Sequence, residues 1–156
     1  MTEWSVGGRA EYESVERMTQ AMSDGAAQTM FAADRASREL GITLLEAGEG
    51  VARLRMTVTS AMVNGHGIAH GGYLFLFADT AFACACNSHG PVTVAAGADI
   101  SFVRPAYEGD TLTAVAEERT SRGRSGIYDV SVLRDGEVVA EFRGRSRTVG
   151  RVEGSR

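Results

Sequence analysis

The sequence predicts an α+β domain in which a curled antiparallel sheet wraps one long central helix. Three observations carry that prediction. From Gly72 to Cys86 the chain reads GYLFLFADTAFACAC, helix-like in length and apolar on every face, with Asp79 its only charge. Downstream come strand-like runs in succession, the last two hinged on Asp135-Gly136, a strong hairpin signal. Upstream, two more such runs flank Gly48-Glu49-Gly50. One apolar helix has to bury itself against an enclosing layer, so the sheet is expected to curl around it. The run is too short to span a bilayer comfortably.

In chain order, residues 1–23 are polar, carry the only tryptophan, Trp4, and read as an extension with helical character from Tyr12. The folded domain is expected over 24–149. Ser23 and Asp24 offer N-caps for a helix through Glu39, with Asp34 in its body and Gly41 as its stop. Ile42–Ala47 and Val51–Val58 read as strands, the second only partly alternating, with Arg53 and Arg55 outward. The glycine-dense loop Asn64–Gly72 leads into the buried helix, which stops at Asn87-Ser88-His89-Gly90-Pro91. Strands are then expected at Val92–Val103, Thr111–Arg119, Ile127–Arg134 and Glu137–Thr148, with a solvated tail over 150–156.

Composition narrows the function. At 156 residues the chain suits one globular domain with short extensions. A net charge of -4 gives no basic footprint for nucleic acid. All 16 basic residues are arginine, whose planar fork suits phosphate. Cys84 and Cys86 are the only cysteines. Two apart on a helix they point in different directions and cannot pair, and they fit no zinc-type spacing, so they read as packed apolar residues in a reducing compartment. The N-terminus has no charged-then-apolar order of a signal peptide, so a cytoplasmic location is expected, with no membrane attachment.

The chemistry centres on Asp79. An ionised carboxylate in an apolar helix is costly unless it is paired, hydrogen-bonded or set at a wet cavity. Upstream, His70-Gly71-Gly72 opens the helix. Free N–H groups at a helix N-terminus stabilise an oxyanion, and glycine lets a substrate approach the backbone closely. A carboxylate activates water or attacks directly to give a mixed anhydride. Gly71 and Asp79 are eight residues apart, about 12 Å along one helix, whereas reacting groups must lie within roughly 3–3.5 Å. Either they serve different sites or the site combines Gly71 of one chain with Asp79 of another, as two antiparallel helices across a two-fold would provide.

The run NGHGIAHGGYLFLFADTAFACACNSHG resembles the PaaI-like acyl-CoA thioesterases of the hotdog superfamily, and the resemblance extends from about Met30 to Val149. The family motif is an Asn, then His-Gly-Gly at the helix start, then an acid eight positions after the first glycine. Asn64, His70-Gly71-Gly72 and Asp79 fill those places. The resemblance implies a hotdog fold and hydrolysis of acyl-CoA to free acid and CoA without cofactor or metal. Asp79 would be base or nucleophile, the Gly71 amide would polarise the carbonyl, and Asn64 and His70 would support substrate and water. Gly72, Tyr73 and Thr80 would lie on the substrate side. Arg104 and the Arg122-Gly123-Arg124-Ser125 turn would border the CoA groove. The acyl group would be phenylacetyl or hydroxyphenylacetyl, and the assembly a dimer with shared sites, paired into a dimer of dimers.

Blander readings stand beside these. Asp79 alone also suits a structural acid paired with an arginine, Asn64 a turn residue, His66 and His89 the surface, and Tyr73, Phe75, Phe77 and Phe82 the core and an interface. Many relatives hold the attacking water with a Ser or Thr. Here Ala83 stands one turn beyond the acid and Val94–Gly97 has no hydroxyl, leaving Thr80 and Thr93 as the nearest candidates. A non-catalytic acyl-CoA sensor on the same fold is the alternative function, and it has no need of Asp79. A hotdog dehydratase, pairing a His with an acid, fits the Asn–His-Gly-Gly–Asp pattern less well.

Overall fold

The computed structural model describes residues 25–150. The elements are α1 (Ala26–Ala33), α2 (Arg35–Glu39), β1 (Thr43–Gly48), β2 (Val51–Thr57), a 3-10 turn at Ser60–Met62, α3 (Gly71–Asn87), β3 (Thr93–Phe102), β4 (Thr111–Arg122), β5 (Ser125–Arg134) and β6 (Glu137–Thr148). The strands form one antiparallel six-stranded sheet in the order β1-β2-β4-β5-β6-β3. α3 packs against every strand of it. The expected extension, the N-caps Ser23 and Asp24 expected for the first helix, and residues 151–156 lie outside the described residues.

The single helix expected through Glu39 is two. Asp34 takes extended backbone angles (φ -79°, ψ 91°), and its carboxylate accepts a hydrogen bond from the Ser37 N–H. A short acidic side chain offers the backbone an alternative to helical pairing, so Asp34 ends α1 and caps α2. Gly41 ends α2 with φ +71°, a left-handed conformation that glycine adopts without penalty.

β2 alternates strictly, contrary to the partial alternation read from sequence. Ala52, Leu54 and Met56 are buried while Arg53 and Arg55 are exposed. The small Ala52, not Val51, carries the inward register. β1 and β2 turn through Glu49-Gly50, and β5 and β6 through Asp135-Gly136, each with positive φ at both residues, as type I′ hairpin turns require. β4 and β5 are longer than expected, with β4 running to Arg122 and β5 starting at Ser125. A register shift between Glu118 and Thr120 absorbs an extra residue there. A second shift lies between Ala95 and Gly97 in the β3–β6 pairing, where Ala96 is the extra residue.

The core lies between α3 and the concave face of the sheet. Phe77 and Phe82 are fully buried against Leu54, Met56, Leu112 and Val130. Gly144 in β6 makes room for Phe82: a β-carbon there would come within 2.8 Å of the ring. The helix is not buried all round. Gly72, Phe75, Leu76, Asp79 and Ala83 fall on one helical face, and all are at least partly exposed while the opposite face is sealed. Asp79 therefore sits in an uncovered stripe of an otherwise buried helix.

Candidate active site

The loop before α3 is built by its own polar groups. Asn64 Oδ1 accepts from the backbone N–H of His66 at 2.9 Å and of Ile68 at 3.4 Å, and the Asn64 N–H donates to the Ile68 carbonyl. This is the turn role that asparagine fills well. The Asn64 carbonyl is the acceptor for Gly67, so only its side-chain NH2 remains available to a ligand. The loop is anchored by Ala69 N–H to the Ala106 carbonyl and by His70 N–H to the Met62 carbonyl, both at 2.7 Å.

His70 is the N-cap of α3. Its Nδ1 accepts from the Gly72 N–H at 2.9 Å, which leaves Nε2 to carry the ring hydrogen. The Tyr73 and Leu74 N–H groups donate to the His70 carbonyl. Among the described residues the Gly71 N–H has no partner, so capping spares one first-turn amide at the positive end of the helix dipole. A side chain at Gly71 requires Phe102 to move: a β-carbon would lie 2.8 Å from Cζ of Phe102, whose ring rests there although 55% exposed.

Asp79 lies two turns further along α3. Burial raises its carboxyl above the ordinary range, and the negative charge of Asp34 raises it further. That shift moves a carboxylate toward the range in which a general base is effective near neutral pH. Because Gly71 and Asp79 share one helix, the eight-residue separation holds at about 12 Å, and one chain does not bring them to one carbonyl.

The remaining predicted residues are dispersed. Gly72 is exposed and Tyr73 partly so, beside the helix start. Thr80 turns inward: it is 6% exposed, its hydroxyl donating to the Leu76 carbonyl and meeting Ser37 Oγ at 2.8 Å. Thr93 bonds the Pro91 carbonyl and Thr148 at the far end of α3. Neither hydroxyl is free to hold water beside Asp79. Arg104 donates to the Val138 carbonyl at the end of the sheet nearest Gly71. Arg122, Gly123, Arg124 and Ser125 lie at the other end, where Ser125 pairs with Arg147 and Thr93 with Thr148. Ten residues of β3 separate the two ends, roughly 30 Å. The two arginine groups of one chain do not form one groove.

The turn does contribute to a hollow of about 410 Å³ lined by Thr120, Arg122, Ser125, Arg145 and Arg147. Arg145 pairs with Asp99, while Arg122 and Arg147 have no ion-pair partner among the described residues. Arg145 and Arg147 were missed in the sequence, although the Arg143, Arg145, Arg147 alternation of β6 is the signal that places them on one face. The thiols of Cys84 and Cys86 are pushed up to about 12, chiefly by burial, so they stay protonated and inert. No group of three His, Cys, Asp or Glu side chains is gathered among the described residues as a metal would need, and no helix there is long and apolar enough to cross a membrane.

A curled antiparallel sheet wrapped around one long helix is the architecture of the hotdog fold, and the proteins this chain resembles are thioester hydrolases. The thioesterase superfamily model matches residues 66–141. The acyl-coenzyme A thioesterase PaaI of Escherichia coli is 46% identical over 125 residues, covering 80% of this chain and 89% of the relative. The solved structure of E. coli PaaI superposes with a TM-score of 0.80 at 44% identity, over 81% of this chain and 93% of that one. A putative esterase of Deinococcus radiodurans is 43% identical over 116 residues, 73% of this chain and 77% of the relative. The chain belongs to the PaaI-like acyl-CoA thioesterases of the hotdog superfamily.

Proposed function

We propose that this enzyme hydrolyses aromatic acyl-CoA thioesters of the phenylacetyl or hydroxyphenylacetyl type, at sites shared between two copies of the chain. The observation that carries the reading is the free Gly71 amide at the N-terminus of the helix that also holds Asp79 on its uncovered stripe. The amide donates to the thioester oxygen as it gains negative charge. Asp79 either removes a proton from the attacking water or attacks the carbonyl carbon itself. In the second route the carbon–sulfur bond breaks, CoA leaves as thiolate and takes a proton, and water then cleaves the anhydride and restores the carboxylate. Asn64 offers its NH2, and the His70 cap keeps the Gly72 amide occupied so that Gly71 alone faces the substrate.

Two features support a shared site. β3 is an edge strand, flanked and studded by the exposed apolar residues Val92, Val94, Phe102 and Val103. The uncovered stripe of α3 is a second surface in need of a cover. Antiparallel pairing of two β3 edges continues the sheet, lays the two helices side by side in opposite directions, and brings the Gly71 end of one toward Asp79 of the other. The same operation sets Arg104 of one chain at the end where Arg122 and Arg147 of the other lie, giving CoA phosphates a cationic hollow. A dimer of dimers would then cover further apolar surface.

Steady-state release of free thiol across a panel of phenylacetyl-, hydroxyphenylacetyl- and straight-chain acyl-CoA substrates tests the reading. Higher kcat/KM on the aromatic thioesters is expected. Equal turnover of all chains refutes the substrate class, and no turnover of any refutes the activity.

A further inference from the structure

The break between α1 and α2 faces the helix that carries Asp79. Asp34 Oδ1 accepts from the Ser37 N–H at 3.0 Å, and Oδ2 accepts from Ser37 Oγ at 2.6 Å. Ser37 is only 1% exposed, and its Oγ lies 2.8 Å from Thr80 Oγ1, a buried contact across 43 residues of sequence. Thr80 follows Asp79 directly and reaches the Leu76 carbonyl one turn back at 3.0 Å. Capping α2 requires only the first of these bonds. The continuation through two buried hydroxyls into α3 is more than a cap needs, and buried hydroxyls are retained only where they are satisfied.

We propose that Asp34 is a positioning residue for Asp79: through Ser37 and Thr80 it holds the turn of α3 that carries Asp79 and places its own negative charge beside that turn. The proposal rests on the reading of Asp79 as the catalytic carboxylate. The surroundings isolate the pair. From its own helix the titratable neighbour of Asp79 is the neutral thiol of Cys86, two turns on, with His70 at the helix start. The concave face of the sheet presents apolar side chains along most of α3, and its titratable groups, Glu118 and Tyr128, bond each other at the far end with His89. From the α1–α2 side the charge is Asp34, and it acts on Asp79 with the same sign as burial.

The test uses Asp34→Asn, with Asp34→Ser should the first not fold, because both residues cap helices well without charge. Carboxyl carbon NMR follows the titration of Asp79, whose resonance is identified by its loss in Asp79→Asn. The Asp79 midpoint is expected to fall in the neutral variants, and the acid limb of kcat/KM to move down with it. Ser37→Ala keeps the charge and cuts the link, so it should leave the midpoint in place and lower kcat roughly 10-fold with KM little changed. An unmoved midpoint in a folded neutral variant, or wild-type kcat in a folded Ser37→Ala, overturns the proposal. A midpoint that falls while the acid limb stays supports the Asp34 relay and refutes the assignment of Asp79 as the base.

Discussion

The proposed shared site makes a quantitative prediction for mixed oligomers. Eight residues at about 1.5 Å each put Gly71 and Asp79 of one chain about 12 Å apart, so neither can serve the other's carbonyl. Gly71→Val places a β-carbon where the Phe102 ring now rests, 2.8 Å from Cζ. That ring is more than half exposed in the single chain and only its tip meets the new β-carbon, so the fold should survive a small displacement while the added side chain blocks approach to the amide. Losing the donor costs about 10²–10³-fold. Asp79→Asn removes the proposed base or nucleophile, at about 10²-fold or more. Each variant alone is therefore nearly inactive. Unfolded together in equal amounts and refolded, they pair at random and about half the dimers are mixed. A mixed dimer has one site with both wild-type groups and one doubly damaged site, so activity should recover to about a quarter of wild type if sites act independently. The assay is thiol release per protomer, with mixed oligomers verified by mass and folding of each variant verified by circular dichroism. Mixed oligomers that recover no activity refute the shared site.

Four further outcomes are expected. Because burial and Asp34 raise the Asp79 carboxyl, the wild-type protein has its full contribution from that group below pH 3.8 and loses it as pH rises through the raised value. Asp79→Asn should accordingly melt above wild type at pH 7 and lose that advantage below pH 3.8, which calorimetry against pH will read. Charge reversal at Arg122 and Arg147 should raise KM for acyl-CoA about 10-fold with kcat nearly unchanged, and should have no effect on a short thioester lacking the nucleotide. Gly144→Ala drives a methyl into the Phe82 ring and should cost about 1–3 kcal/mol of stability in urea titration. Thiol reagents at pH 8 should leave Cys84 and Cys86 unmodified in the native enzyme and label both once it is unfolded.

What could be read from the sequence were the features written in adjacent residues. The buried helix was placed to within one residue at each end, because an apolar run with a single charge, bounded by His-Gly-Gly and Asn-Ser-His-Gly-Pro, is a local pattern. β6 was placed at Glu137–Thr148 because Asp135-Gly136 fixes where it starts. What escaped notice depends on neighbours distant in the chain. Asp34 reads equally as a helix interior or as a cap until its Ser37 partner is seen. Ser37 and Thr80 meet across 43 residues, and neither carries a sign of the other. Arg104 and the Arg122–Arg124 turn read as one anion-binding set, since strand lengths do not say which end of the sheet a turn occupies. The exposure of Asp79 also had to come from the fold, because an apolar stripe that awaits a partner looks in sequence like one already covered.

The extra residue in β3 ties distant parts of the molecule together. Side chains alternate across a strand, so the offset at Ala96 decides which face each later residue of β3 presents, through to Phe102. Deleting Ala96 would return the strand to one-to-one pairing with β6. Phe102 would then have to turn away from Gly71, or the whole β3–β6 ladder would have to slide by one position. The Gly71 N–H is thus guarded by a counting rule kept six residues away in β3. Length changes in β3 are therefore read out at the helix N-terminus, and this edge tolerates substitution far better than insertion or deletion.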